Sequence, residues 1–258
     1  MTTRRLPQPL IAIARATRLN LLLNQLINYM PRPIQQMAVL LGARRELVPT
    51  DTLTRTYYDA LKLLTLRHHP SAIGDYLEFG VYQGSSLSCM FHALQSLGYE
   101  QPRLFGFDSF EGTPEEAAQE ETTRQPGEFN SSLGYTTTFL EGKGVDMSRV
   151  YLVKGWYKDT LNGAITRAYR ITEASLIMID CDLYSSTVAA LEFCEPLIKT
   201  NTLIFFDDWA TDDLDQRHQG ERRAFEEFLQ QHPYFEAEEI SGLQYADTAR
   251  VFRLRRLA

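Results

Sequence analysis

Two short apolar runs, each ending in aspartate, place the strongest constraint on what this chain of 258 residues can form. The run Leu176–Ile179, which has the length of a buried strand, stops at Asp180. The run 203–206 stops in the same way, at Asp207 and Asp208. The 27 positions from the first of these aspartates to the second leave room for one crossover helix. We therefore expect two parallel strands that end at the same rim of a sheet.

Carboxylates gathered at such a rim predict a binding site for a divalent cation. Ligands of open parallel sheets bind at the carboxyl ends of the strands. Asp180, Asp207 and Asp208 would repel one another there, and a hard cation such as Mg²⁺ would relieve the repulsion. Asp182, two residues further on, would bring a fourth carboxylate to the same rim. The alternative is that these side chains cap turns or helix amides, which needs no metal.

Charge is unevenly distributed along the chain. The formal net charge is −7, yet residues 1–45 contain seven arginines and no acidic residue, so residues 46–258 carry −14. An acidic body argues against nucleic acid as a partner, because phosphates are bound mainly by lysine and arginine. Three cysteines without metal-ligand spacing favour a reduced, cytoplasmic setting. No run of 18 uncharged apolar residues occurs, so we expect no transmembrane segment.

Prolines set the first 50 residues apart from the rest. Two apolar stretches with helical spacing, Leu10–Tyr29 and Ile34–Leu41, lie between them, and Gly42 closes the second. We predict a basic helical leader or lid over residues 1–50 and one α/β domain over residues 51–258. The leader is expected to pack on that domain or to join subunits of a homo-oligomer. Contact of its basic face with a membrane surface is the alternative.

The α/β domain is expected to open with a strand, a glycine turn and a helix. The strand Asp75–Phe79 contains Glu78, and Gly80 and Gly84 precede a helix that begins at Ser85. Glycines at such a turn let the backbone approach a ligand, and free amides at the helix start favour an anionic group. The spacing G-x-x-x-G differs from the dinucleotide fingerprint G-x-G-x-x-G, so this signal is weak by itself.

An acidic residue also follows the second predicted strand. The strand Leu104–Phe107 ends at Asp108, 30 residues after Glu78, where folds of this kind commonly bind ribose hydroxyls. A carboxylate that caps the turn at Ser109 is the alternative. The polar segment 111–134 that follows is too long for a simple connection, and it predicts a lid or binding loop, or disorder.

The remaining elements continue an alternating pattern of strands and helices. The third strand leads into Gly155 and Trp156, whose indole either stacks on a base or covers the core. His68 and His69 are interpreted as the end of a helix. The other predicted strands are Val150–Lys154, 176–179, 203–206, Phe235–Ile240 and Ala249–Leu254, the last two paired as an antiparallel edge, and the predicted helices are Thr54–Leu66, Ser85–Leu97, Tyr135–Leu140, Ser185–Ile198 and Gly220–Gln231.

With these pieces in order, the chain resembles the macrocin O-methyltransferase (TylF-like) family, which uses S-adenosylmethionine (SAM). The matching motifs are YLEFGVYQGSSL (76–87), FGFDSFEGTP (105–114), VKGWYKDTL (153–161), IDCDLYSST (179–187) and FFDDW (205–209). The last two together are specific, whereas the glycine-rich turn is not. The resemblance implies a class I SAM-methyltransferase fold, which is Rossmann-like and doubly wound. Its sheet is seven-stranded and mostly parallel, with a reversed last strand, and the leader adds an N-terminal helical extension.

The same resemblance implies a role for each matching position. The metal ligands would be Asp180, Asp207 and Asp208. The cofactor-binding residues would be Glu78, Gly80, Gly84 and Ser85 at the methionine end, Asp108 and Ser109 at the ribose, Gly155 and Trp156 at the adenine, and Asp180 nearby. The candidates for the proton acceptor are Asp180, Asp182 and His218. The histidine lies in a long acidic segment after the last motif, where a solvated loop histidine is the alternative.

The sequence thus predicts a metal-dependent O-methyltransferase that uses SAM together with Mg²⁺ or another hard divalent cation. The resemblance implies that its acceptor is a small molecule, a sugar of a glycosylated natural product. One rival is a nicotinamide-dependent Rossmann oxidoreductase, against which the missing third glycine of the turn speaks. The other rival is a non-catalytic SAM-binding protein, for which the aspartate cluster would have no evident use.

Overall fold

A computed structural model describes residues 19–66, 73–120, 125–199 and 201–257 of the chain. The first part of the predicted helix Leu10–Tyr29 lies outside these residues, and so do His68 and His69 with the predicted helix end. Within the described part of the chain, no helix is long and apolar enough to cross a membrane.

One sheet of seven strands runs through the protein. The strands are β1 (Asp75–Phe79), β2 (Leu104–Asp108), β3 (Val150–Lys154), β4 (Ala174–Ile179), β5 (Thr202–Phe206), β6 (Phe235–Glu239) and β7 (Arg250–Arg256). They lie in the order β3-β2-β1-β4-β5-β7-β6. Strands β1 to β5 are mutually parallel, whereas β7 is antiparallel to both β5 and β6. The predicted mostly parallel sheet with a reversed last strand and an antiparallel edge is therefore confirmed.

Helices cover both faces of this sheet, which explains why the central strands are continuously apolar rather than alternating. The helices are α1 (Leu19–Tyr29), α2 (Arg32–Leu40), α3 (Thr50–Thr65), α4 (Ser85–Ser96), α5 (Leu133–Gly142), α6 (Tyr157–Thr160), α7 (Gly163–Tyr169), α8 (Tyr184–Cys194) and α9 (Gly220–Gln231). Neighbouring residues of β5 show the two faces. Phe205 packs with residues of α3 and α4, and Phe206 with residues of α8 and α9.

Several predicted helix bounds differ from those observed. Helix α8 ends at Cys194 rather than at Ile198, because Pro196 cannot continue an α-helix and a 3₁₀ turn follows over Glu195–Leu197. Helix α5 begins at Leu133 rather than at Tyr135, because Ser132 caps it by accepting the backbone N–H of Tyr135. The short helices α6 and α7 were not predicted, since neither is long enough to show a helical repeat of apolar residues.

The strand register brings the ends of β4 and β5 together. Ile179 lies beside Phe206, the last residue of β5. The next residues stay in the ladder, since Asp180 N–H donates to the Phe79 carbonyl at 2.9 Å and Asp207 N–H donates to the Ile179 carbonyl at 3.1 Å. The predicted shared rim of the two strands is therefore observed.

Candidate active site

A cavity of about 980 Å³ opens at the carboxyl ends of the parallel strands. This volume is at the upper end of the range for small-molecule sites, about 300–1,000 Å³. The turns after all five parallel strands line it, and each supplies at least one predicted site residue. The predicted residues on its wall are Gly80, Asp108, Ser109, Gly155, Trp156, Asp180, Asp182, Asp207 and Asp208.

Gly80 stands where the turn after β1 meets the turn after β4. It has a φ of +87°, and a β-carbon on it would overlap the backbone carbonyl of Asp180. Its place in a glycine turn after β1 predicts close approach of a ligand. The structure gives a different reason, because the close approach is made by the neighbouring strand end.

Asp108, the last residue of β2, is held by the turns on both sides of it. One carboxylate oxygen accepts the backbone N–H groups of Val81 and Tyr82 at 2.8 and 3.0 Å, and the other accepts that of Phe110 at 2.6 Å. Burial raises the pKa of Asp108, while these hydrogen bonds act in the opposite direction. The turn-capping alternative is thus observed. A carboxylate has about four acceptor positions, so with three of them used this role leaves room for about one ribose hydroxyl.

Three of the predicted cofactor residues do not line the cavity. Glu78 is fully buried and accepts hydrogen bonds from the Tyr76 hydroxyl at 2.6 Å and the Ser86 hydroxyl at 2.7 Å. Burial raises the pKa of Glu78 to about 8. Gly84 and Ser85 also lie behind the wall, at the start of α4, where Gly84 has a φ of +94°. These three residues shape the turn from behind the cavity wall.

The aspartates after β4 and β5 form the predicted cluster. Asp180, Asp207 and Asp208 each offer one carboxylate oxygen, and these three atoms all lie within 4.8 Å of one another. Burial raises the pKa of Asp180 well above its ordinary value, and the neighbouring charges of Asp207 and Asp208 raise it further. Three oxygen donors at this separation fit a hard divalent cation, which would reverse the repulsion.

Two side chains outside the predicted site support this cluster. The hydroxyl of Tyr245 donates to Asp207, and a carboxylate oxygen of Glu221 accepts the backbone N–H of Asp208 at 3.0 Å. Glu221 is only 1% exposed, and burial raises its pKa well above the ordinary value, with Asp208 and Asp207 raising it further. Neither residue belongs to a recognisable motif. Only their place next to the aspartates reveals them.

The two remaining candidates for the proton acceptor lie in different places. Asp182 lines the cavity and has a φ of +62°, at the centre of a three-residue turn closed by Leu183 N–H and the Cys181 carbonyl at 2.7 Å. Such a conformation is strained for an aspartate and is typical of functional sites. The side chain of His218 is 60% exposed, forms a 3.3 Å pair with Glu226 and does not line the cavity. His218 is therefore a surface residue outside the cavity, which is the position that the solvated-loop alternative expects.

The long polar segment after β2 closes one side of the cavity. Its described parts fold back on each other, with Thr113 N–H donating to the Glu128 carbonyl and Gly127 N–H to the Thr113 carbonyl, both at 2.9 Å. Phe129 lines the cavity, and its ring meets that of Tyr82 edge-on with 6.1 Å between the ring centroids. The described parts of the segment thus form a cavity wall, as a binding loop would.

With this geometry, comparison with known proteins identifies the family. A family model described as Macrocin-O-methyltransferase (TylF) matches residues 64–238. The chain belongs to this family. A curated relative of this family member, 8-demethyl-8-(2,3-dimethoxy-alpha-L-rhamnosyl)-tetracenomycin-C 4'-O-methyltransferase of Streptomyces olivaceus, is 33% identical over 54% of each chain. This chain therefore spans about half the length of that relative.

Two solved structures of methyltransferases have a fold similar to that of this chain. The O-methyltransferase NovP superposes with a TM-score of 0.62 at 18% identity, over 81% of this chain and 79% of NovP. The calicheamicin methyltransferase CalS11 superposes with a TM-score of 0.60 at 23% identity, over 98% of this chain and 96% of CalS11. The fold is that of the class I SAM methyltransferases, as predicted.

Proposed function

We propose that this protein is a metal-dependent O-methyltransferase that moves a methyl group from SAM to a sugar hydroxyl of a glycosylated natural product. The observation that carries the proposal is that one cavity joins the turns after β1, β2 and β3 to the aspartate cluster after β4 and β5. The curated relative, named for methylation of a rhamnosyl group on tetracenomycin C, supports a sugar acceptor. A nicotinamide-dependent oxidoreductase is not favoured, because the family is one of methyltransferases.

The cofactor would occupy the part of the cavity beside β1 to β3. Asp108 would accept a ribose hydroxyl, Trp156 would stack on the adenine, and Gly80 would line the methionine end. When bound there, SAM supplies a methyl group that is already activated for transfer. The protein's own contribution is then to hold the acceptor in line with that methyl group and to exclude water.

The acceptor would occupy the part beside β4 and β5. The donor set of Asp180, Asp207 and Asp208 fits Mg²⁺ or a similar cation, which when bound makes a nearby hydroxyl more acidic. Asp182 is the proposed proton acceptor, because it lines the same cavity and is not one of the three clustered carboxylates. His218 is not part of the proposal, since it lies outside the cavity.

The leader is proposed to act as a lid and as the contact between subunits of a homo-oligomer. Helices α1 and α2 pack on α5 and place many of their apolar side chains on the surface. Those exposed side chains are Leu26, Tyr29, Ile34, Met37 and Leu40. The division into a leader of residues 1–50 and a domain of residues 51–258, and a cytoplasmic location, stay predictions.

Methyl transfer from radiolabelled SAM to rhamnosides of aromatic natural products tests the function. We expect activity in Mg²⁺ that is abolished by EDTA and by Asp207→Asn, with added Mg²⁺ restoring only the wild type. Asp213→Asn removes an exposed acid of the following loop and should leave activity unchanged. Methyl transfer that persists in EDTA would reject the metal dependence. Binding of SAM without transfer to any glycoside would favour the non-catalytic alternative.

A further inference from the structure

Tyr245 reaches the aspartate cluster from a part of the chain that the family comparison does not include. The family match ends at residue 238, and Tyr245 lies in the connection between β6 and β7. Its side chain is almost entirely buried, with its ring 6.5 Å from that of Phe205 and its hydroxyl 3.9 Å from the sulfur of Met178. Apolar side chains thus hold the ring in place on the face of the sheet that α3 and α4 cover.

The hydroxyl of this buried tyrosine has an acidic partner. It donates a hydrogen bond to Oδ1 of Asp207, one of the three clustered carboxylates. A hydroxyl supplies one donor and no charge, so it restrains the rotation of the carboxylate without neutralising it. A carboxylate has about four acceptor positions, so one hydroxyl bond does not by itself prevent Asp207 from binding a cation. It can therefore be oriented by the tyrosine and still bind a cation.

The connection that carries Tyr245 is tied to the same strand end as Asp207. Ala210 N–H donates to the Thr248 carbonyl at 2.9 Å, which joins the turn after β5 to this connection. Strand β7 begins at Arg250, which lies beside Phe206, the residue before Asp207. The hydroxyl of Tyr245 and the carboxylate of Asp207 therefore lie on segments that are hydrogen-bonded to each other. The hydrogen bond between them thus has a defined geometry.

We propose that Tyr245 is a positioning residue for the cation, which sets the orientation of Asp207 through its hydroxyl. The proposal rests on the metal dependence proposed above. Partners that orient metal ligands in this way typically contribute 10–100-fold to metal affinity. The connection between β6 and β7 would then supply part of the metal site, in addition to joining these two antiparallel strands at the edge of the sheet.

Binding of Mn²⁺ alone to the full chain tests this role, with the electron paramagnetic resonance signal of free Mn²⁺ as the readout. Tyr245→Phe removes only the hydroxyl. Tyr57→Phe is the matched control, because Tyr57 is buried against the same Phe205 but its hydroxyl contacts the Tyr76 hydroxyl at 3.0 Å instead of an aspartate. We expect Mn²⁺ affinity to fall by about 10–100-fold in the first variant and to be unchanged in the control.

Activity measurements add a second readout. The Mg²⁺ concentration for half-maximal methyl transfer should rise in Tyr245→Phe by the same factor as the Mn²⁺ dissociation constant, with kcat recovering at saturating Mg²⁺. Tyr245→Met, which also lacks the hydroxyl but whose flexible side chain adapts to a buried pocket, repeats the test if the phenylalanine variant does not fold. Equal Mn²⁺ affinity of wild type and variant would overturn the role of Tyr245 alone. A wild type that binds no Mn²⁺ would overturn the metal dependence as well.

Discussion

The side-chain oxygen of Asn28 accepts the backbone N–H of Ser132 at 2.9 Å, across 104 positions of the chain. The same side chain donates to Oδ1 of Asn130 at 2.6 Å and accepts from the buried guanidinium of Arg44 at 2.7 Å. Asn130 follows Phe129, which lines the cavity. A residue of the leader helix α1 therefore holds the loop that forms one wall of the candidate active site.

Removing the hydrogen bonds of Asn28 should weaken the binding of the acceptor more than the binding of SAM. Asn28→Ala loses three hydrogen bonds, two with neutral groups that contribute about 0.5–1.5 kcal/mol each and one with the Arg44 guanidinium that contributes about 1.5–3 kcal/mol. We expect the KM for the acceptor to rise severalfold or more, with SAM affinity by calorimetry nearly unchanged. Gln36→Ala, an exposed position of α2, is the control.

Deletion of residues 1–30 should have a larger effect of the same kind. It removes Asn28 together with the whole of α1, so acceptor turnover or the oligomer should be lost while SAM binding is retained. Steady-state kinetics and light scattering measure the two outcomes. A truncated protein with full activity and the same size in solution would contradict the proposed role of the leader.

Gly80→Ala should destabilise the fold severely. The new β-carbon would collide with the Asp180 carbonyl, and the φ of +87° is unfavourable for alanine. We expect a loss of more than about 4 kcal/mol, the range of strong steric mutations. Gly98→Ala has a φ of +71° but no atom within 4 Å of the new carbon, so it should cost only about 1 kcal/mol. Urea unfolding of both variants separates the collision from the backbone strain.

Asp108→Ala should weaken SAM binding at least tenfold. One charge-assisted hydrogen bond to the ribose is expected to be lost, and its contribution of about 1.5–3 kcal/mol corresponds to at least a tenfold change in affinity. The variant also loses its bonds to three backbone N–H groups, so thermal stability should fall as well. Asp146→Ala removes a similar bond to a backbone N–H, that of Ser148 at 3.0 Å, away from the cavity. If both variants keep wild-type SAM affinity, Asp108 acts only as a turn cap.

The free energy of unfolding should fall as the pH rises through the range set by Glu78. Burial raises the pKa of this carboxyl from 4.5 to about 8. Between these values the folded protein keeps a proton that the unfolded chain releases, so raising the pH favours unfolding. Glu78→Gln should reduce this slope by up to about 1.4 kcal/mol per pH unit. Urea unfolding from pH 5 to 8, with the exposed Glu100→Gln as control, measures the difference.

The sequence alone predicted the sheet and the aspartate cluster, because both follow from local patterns. Continuous apolar runs mark strands that are buried on two faces, and one crossover of suitable length makes neighbouring strands parallel. Once β4 and β5 are adjacent, the aspartates that follow them must meet at one rim. The cavity position of Asp108 and Trp156 follows in the same way from their places after β2 and β3.

Only the tertiary structure decided which other side chains contribute. Glu78 lies behind the cavity wall and His218 lies outside the cavity, although both belong to segments that looked functional. Tyr245 and Glu221 contact the cluster, although neither lies in a motif. The reason is physical: a residue's position along a strand fixes which end of the sheet it reaches. The partner of its side chain, in contrast, depends on packing between segments far apart in the chain, which no local pattern records.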